Sequence, residues 1–432
     1  MGKLQDFRIE LDRPGGNYAA GESVSGRVVV KLSAPKNVRQ IKLQACGEAE
    51  VHWTKSKSQK DASGRRRQYT EHYKGSEQYF DLTLRLYGSP TGGESTTLPA
   101  GTHCYNFNFQ LPSNIPCSFE HKHGHVRYTI NAFLDRPWKF DHKVVSVFMV
   151  LAPYDLNAQQ TAMVGIHDEI KRSFHCCCWM FRMGGMVATV KTKASGFVPG
   201  ETIEMTVHHN VLSTKVNLTR IKMKLEKEIV FQSSTPHCER KKCTETIKKT
   251  EKDGPFDRQG ENSLRIEVPS LPPSRLDRCS IIHITYRLRF TLVLSGFQRN
   301  VKRTYPIEIG TIPLYSRTDN APGYPSVSVP TAPPIEHVSS TNTQASPMTS
   351  QPIGFVVMNL PPYSDTSQNT QEIPPPSYEE CVSGSHKIEG ENVEGLHNPD
   401  LQFAPRYLVY KPSMPMPCKW INNLSLIFSL VG

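Results

Sequence analysis

The sequence predicts an all-β protein: two tandem immunoglobulin-type β-sandwiches followed by a disordered, proline-rich tail. Three observations carry this. Apolar and polar residues alternate along short runs bounded by Gly and Pro. One pattern occurs twice within the first 314 residues. Composition and charge both change beyond that point.

The alternation is plain in Phe7-Arg8-Ile9-Glu10-Leu11-Asp12, Tyr105-Asn106-Phe107-Asn108-Phe109 and Ile284-Thr285-Tyr286-Arg287-Leu288-Arg289-Phe290. It is also present, less strictly, in Val24-Ser25-Gly26-Arg27-Val28-Val29-Val30. Each run puts apolar side chains on one face, as a half-buried strand requires. Frequent turn residues between the runs favour sandwiches over parallel α/β sheets.

Four anchors recur in the same order. Tyr18-Ala19-Ala20-Gly21-Glu22-Ser23-Val24 is echoed by Phe197-Val198-Pro199-Gly200-Glu201-Thr202-Ile203, and Ile41-Lys42-Leu43 by Ile221-Lys222-Met223. Phe109-Gln110-Leu111-Pro112 matches Ile266-Glu267-Val268-Pro269, and His125-Val126-Arg127-Tyr128 matches His283-Ile284-Thr285-Tyr286. Four anchors in register indicate duplication of one unit. The predicted organisation is a first domain over 4–153, a linker over 154–183 holding a Cys cluster, a second domain over 184–314, and a tail over 315–432. The first copy is longer in its middle, and the excess is expected as loops: a basic segment within 55–67 and a gap at 89–93. Arg65, Arg66 and Arg67 in that segment, and Arg240, Lys241 and Lys242 in the second copy, are candidates for contact with anionic surfaces. Solvated hairpin ends are the equally weighted reading.

From Thr318 onward the chain has 4 Lys/Arg against 10 Asp/Glu, a net of −6; with the whole at +11, the preceding residues carry +17. Of the 33 prolines, 17 fall after Pro313. Such a tail cannot bury enough apolar surface to fold. Its prolines favour extended polyproline II shapes, which aromatic-lined grooves grip at little cost in ordering entropy. Pro375, Pro376 and Tyr378 fit the P-P-x-Y pattern of WW-domain ligands, and Leu360, Pro361 and Tyr363 form an L-P-x-Y variant. Pro330, Thr331, Ala332 and Pro333 fit the P-T-A-P pattern bound by ubiquitin-variant domains of the endosomal sorting machinery.

The 11 cysteines form no regular framework and no signal peptide opens the sequence, so a reducing, cytoplasmic setting is expected. No phosphate-binding glycine loop, nucleophile elbow or H-E-x-x-H is present, and neither enzyme activity nor a cofactor is expected. His121, His123 and His125 have a spacing that a strand would place on one face, but Gly124 reads better as part of a turn than of a metal site. Cys176-Cys177-Cys178-Trp179 has the composition of a metal ligand set, a palmitoylated tip or a core filler; the sequence leaves all three open. A basic head is compatible with nucleic acid, yet no recognition helix, finger or aromatic RNA-binding motif accompanies it, so nucleic acid is not an expected partner.

The repeated Gly-Glu turns, Ser118-Phe119-Glu120 leading to His123-Gly124-His125-Val126-Arg127-Tyr128, Arg136-Pro137-Trp138, the Cys176–Cys178 cluster with Trp179, and Ile309-Gly310-Thr311-Ile312-Pro313-Leu314 together resemble the α-arrestins, the arrestin-domain-containing proteins. The resemblance covers roughly residues 4–314 and resumes at the tyrosine motifs. It implies two arrestin-like sandwiches and an adaptor that presents membrane-protein cargo such as receptors to HECT-type ubiquitin ligases with WW domains. Cargo ubiquitination, endocytosis and endosomal sorting would follow, with recruitment to plasma membrane and endosomes, peripheral membrane contact and engagement of the endosomal sorting complex. Ala404-Pro405-Arg406-Tyr407 departs from the family motif at its first position. A retromer-like structural subunit would share the fold but need no tyrosine motifs.

Overall fold

In the computed structural model the described residues are 4–315, apart from 14, 61–64, 89–94, 139 and 176–181, and in the tail 386–388, 401–403, 405, 407 and 409. The first half contains β1 (Leu4–Leu11), β2 (Asn17–Ala19), β3 (Ser23–Leu32), β4 (Lys36–Val38), β5 (Gln40–Lys60), β6 (Arg66–Gly88), β7 (Thr96–Leu98), β8 (Gly101–Gln110), β9 (Phe119–His121), β10 (Gly124–Asp135) and β11 (His142–Leu151). A 3-10 turn (Leu156–Ala158) and the one-turn helix α1 (Gln160–Met163) follow. The second half contains β12 (His167–His175), β13 (Arg182–Lys191), β14 (Gly196–Phe197), β15 (Thr202–Val211), β16 (Leu218–Ser233), β17 (Glu239–Asp253), β18 (Gln259–Glu267), β19 (Ile282–Leu294) and β20 (Val301–Ile309). In the tail, β21 (His386–Ile388) pairs antiparallel with β22 (Leu401–Phe403).

Each half is a sandwich. The first packs β1-β3-β8 against β2-β11-β10-β5-β6, with β9 beside β10 and β4 paired to β7. The second packs β12-β13-β15-β18 against β14-β20-β19-β16-β17. The orders correspond apart from β12, which adds an outer strand to the second half, and β4, β7 and β9, which belong to the first alone; both halves include a short parallel pairing in otherwise antiparallel sheets, β2 on β11 and β14 on β20.

The duplication extends to single hydrogen bonds. Glu22 accepts from the Ala19 amide at 2.7 Å, and Glu201 from the Val198 amide at 2.9 Å. Gly21 and Gly200 have φ of 86° and 96°, which is why glycine stands at both turns. The Tyr128 hydroxyl donates to the Pro116 carbonyl at 2.6 Å, and the Tyr286 hydroxyl to the Pro272 carbonyl at 2.8 Å. Ser118 Oγ accepts from the Val150 amide, as Ser274 Oγ does from the Ile309 amide.

Strict alternation decides which faces meet. Along β10, Val126, Tyr128, Ile130, Ala132 and Leu134 point inward and are fully buried. Along β19, Ile282, Ile284, Tyr286, Leu288, Phe290 and Leu292 do the same. One apolar core runs through both halves, with a small satellite of Tyr154, Leu156, Ala162 and Val198 under the connection.

Two expectations need correction. Residues 55–60 and 66–67 are not a loop; they continue β5 and β6 as a two-stranded ribbon beyond the sheet, and 240–252 lies within β17. The ribbon forms because polar residues here keep the strand period: Lys57 pairs with Glu71 at 2.6 Å across it, and Trp53 stacks on Tyr73 where it leaves the core. Its greater length supplies part of the first half's excess, the longer connection from β6 to β8 supplies more, and the expected gap at 89–93 lies outside the described residues. Within the expected linker, β12 is an outer strand of the second sandwich, paired with β13 from His167 to His175.

Candidate partner-binding surfaces

The two sandwiches meet along a seam built by β5, β6 and β9 on one side and β16 and β17 on the other. Lys74 and Thr235 exchange backbone hydrogen bonds of 2.9 and 3.0 Å, so the seam includes a local β-bridge. Lys55 pairs with Glu239, and Tyr73 meets His237 edge-on at 5.3 Å. His121 lies 4.9 Å from the Phe231 ring and holds Glu245 at 3.1 Å. That bond, ahead of one from Lys227, pulls the Glu245 carboxyl down to about 2. Burial, with Lys241, His121 and Lys122 nearby, pushes His123 down to about 4. Further along, Glu77 accepts from the Ser280 amide and hydroxyl at 2.8 and 2.9 Å, and Arg278 donates to the Ser113 carbonyl at 2.6 Å.

The candidate basic residues therefore sit on two separate hairpins that meet at the Lys55–Glu239 pair, and the two triplets are not clustered. Arg65, Arg66 and Arg67 lie at the free end of the β5–β6 ribbon, where Lys60 faces Arg66. Arg240, Lys241 and Lys242 lie on β17 near the ribbon's root, beside the Lys55–Glu239 pair. Five strand residues separate Lys55 from Lys60, about 17 Å. The second triplet is also partly neutralised: Arg240 donates to Gln232 at 3.1 Å, and Lys242 pairs at 2.6 Å with Glu228, which also holds Arg287. His121 and His125, from the run that reads as a turn, take separate partners: His121 faces Glu245 and His125 approaches Glu50 at 3.9 Å.

Sequence reasoning missed a second surface. Trp138 and Phe140 in the β10–β11 turn are 98% and 93% exposed, with Trp138 at φ 61°, a conformation uncommon for a bulky side chain. Arg136 holds the turn by donating to the Phe140 carbonyl at 2.9 Å. Lys36 approaches His142 at 3.4 Å beside it; burial, then Arg136 and Lys36, push His142 down to about 4. Two aromatics within a Pro-bounded turn were the available signal. The tail candidates Pro330, Thr331, Ala332, Pro333, Leu360, Pro361, Tyr363, Pro375, Pro376 and Tyr378 lie outside the described residues, as do Cys176, Cys177 and Cys178. Among the described residues no helix is long and apolar enough to cross a membrane.

A pair of duplicated sandwiches joined along a polar seam, presenting basic and aromatic projections, defines an arrestin-like adaptor. Residues 7–157 match the family model for the arrestin (or S-antigen) N-terminal domain, and residues 182–314 that for the C-terminal domain. Arrestin domain-containing protein 17 of Caenorhabditis elegans is 28% identical over 95% of this chain and 100% of its own length. Arrestin domain-containing protein 1 of Homo sapiens is 28% identical over 82% of this chain and 77% of its own. Arrestin domain-containing protein 4 of Mus musculus is 28% identical over 70% of each chain. The chain belongs to the α-arrestin, or arrestin-domain-containing, family.

Proposed function

We propose that this protein links membrane-protein cargo to HECT-type ubiquitin ligases that carry WW domains, promoting cargo ubiquitination, endocytosis and endosomal sorting. The observation that carries the proposal is the pairing of an arrestin head with Pro375-Pro376-Ser377-Tyr378 and Leu360-Pro361-Pro362-Tyr363. Tyr378 is the principal handle; its ring fills an aromatic-rimmed groove while Pro375 and Pro376 stack beside it. The span from Tyr363 to Tyr378 lets a ligase with several WW domains engage both motifs and gain by effective concentration. Pro330-Thr331-Ala332-Pro333 adds a weak contact with the endosomal sorting complex, because so short a segment buries little area. The head rests on anionic membrane through Arg65, Arg66 and Arg67, aided by Arg240, Lys241 and Lys242.

Calorimetry of the full chain with a multi-WW fragment tests the central step. Truncating a buried aromatic anchor costs about 2 kcal/mol, so Tyr378→Ala should weaken binding about thirtyfold. Adding Tyr363→Ala should abolish it. Parental affinity in the double variant would remove ligase recruitment from the reading and leave the retromer-like alternative.

A further inference from the structure

The third tyrosine motif behaves unlike a ligand waiting for a ligase. Tyr407 lies four residues beyond β22, which pairs with β21. Its hydroxyl donates to the Ser118 carbonyl of the first sandwich at 3.0 Å. Its own carbonyl accepts from Ser270 Oγ of the second at 2.8 Å. Ser118 is fully buried, and Cys117 and Tyr286 are each 2% exposed. The phenol therefore enters where residues 117–120 face the approach to β19. Desolvation, then Cys117, Tyr286 and Glu120, drive its ionisation far above the usual tyrosine range. One residue thus bonds to both sandwiches, through its side chain on one side and its main chain on the other. Pro405, two positions earlier, has its own φ fixed by its ring, which trims the entropy lost when Tyr407 is held at the seam.

We propose that this seam is a binding site for a tyrosine of the chain's own tail, that Tyr407 occupies it in cis, and that Tyr407 clasps the two sandwiches together instead of recruiting a ligase. Ala404, where a ligase motif carries proline, fits that assignment. The site is separate from the Tyr378 and Tyr363 motifs, and its test is independent of theirs.

Amide hydrogen exchange on the full-length chain reads the clasp directly. Tyr407→Ala should speed exchange about fivefold or more in residues 117–120 and 268–276, the scale of one net hydrogen bond lost on each side. Tyr407→Phe keeps the ring and the Ser270 bond, so it should loosen 117–120 more than 268–276. Ser270→Ala should do the reverse. Tyr378→Ala should leave both segments as in the parent. A synthetic peptide of residues 396–414 should restore protection to Tyr407→Ala, and the same peptide phosphorylated on tyrosine should not, because a dianion would enter a buried site. Unchanged exchange in all three seam variants would overturn the proposal. So would weakened multi-WW binding by Tyr407→Ala with exchange unaltered, which would make Tyr407 a ligase handle.

Discussion

Phe231 shows how much one side chain holds. It is fully buried, faces His121 and His123, and lies against Gly124, where an added Cβ would approach its ring to 3.2 Å. It belongs to β16 of the second sandwich, yet three of its neighbours belong to the first. Phe231→Ala should lower stability by about 3 kcal/mol, the lower end for a buried phenylalanine, and should loosen the seam as well as the core. Thermal unfolding that splits into two transitions would show the coupling lost; a single transition at the parental temperature would show that the seam repacks. Phosphorylation of Tyr378 acts at the same scale. About two negative charges would have to enter an apolar WW groove, so the phosphorylated tail peptide should not bind where the plain one does, as calorimetry can read.

At the scale of the element, the β5–β6 ribbon separates stability from binding. Its root is pinned by Lys55 to Glu239 and by the Lys74–Thr235 bridge, while its end carries Arg65, Arg66 and Arg67 away from the core. Changing these three arginines to Glu should leave the melting temperature within a degree or so, since exposed charges contribute little to folding. The same change should weaken co-sedimentation with anionic vesicles, at about 1 kcal/mol per cation near the surface and less at high salt. Equal binding of the parent to neutral and anionic vesicles would remove the ribbon from the membrane contact.

At the scale of the whole molecule, acid should weaken the fold at two places, the seam through His123 and Glu245 and the first sandwich through His142. His123 and His142 are held near 4, so between their ordinary value and 4 the unfolded chain binds protons that the folded chain refuses. Stability is then full above about pH 6.5 and falls as pH drops toward 4. Glu245, held near 2, adds a loss between its ordinary range and 2. Melting temperature should therefore decline steadily below pH 6.5. The double change His123→Gln with His142→Gln should flatten the upper part of that decline, and an unflattened curve would assign it to other groups.

The sequence alone determined the class of fold, the duplication and the tail motifs, because each is a local matter. A strand facing one core writes a period of two, so β10 and β19 were visible as alternation before any contact was known. A turn that needs positive φ writes glycine, so Gly21 and Gly200 marked the repeat. The ribbon reads as loop because hydrophobic alternation stops at Trp53, although the strand continues on cross-strand pairs between polar residues. Only the tertiary structure decided the seam. His121 meets Glu245 across 124 positions and Tyr407 meets Ser118 across 289, and nothing in either neighbourhood names its partner. Such contacts arise because finished sandwiches present complementary charge and shape to each other and to the tail, a property of surfaces that exist only once both halves have folded.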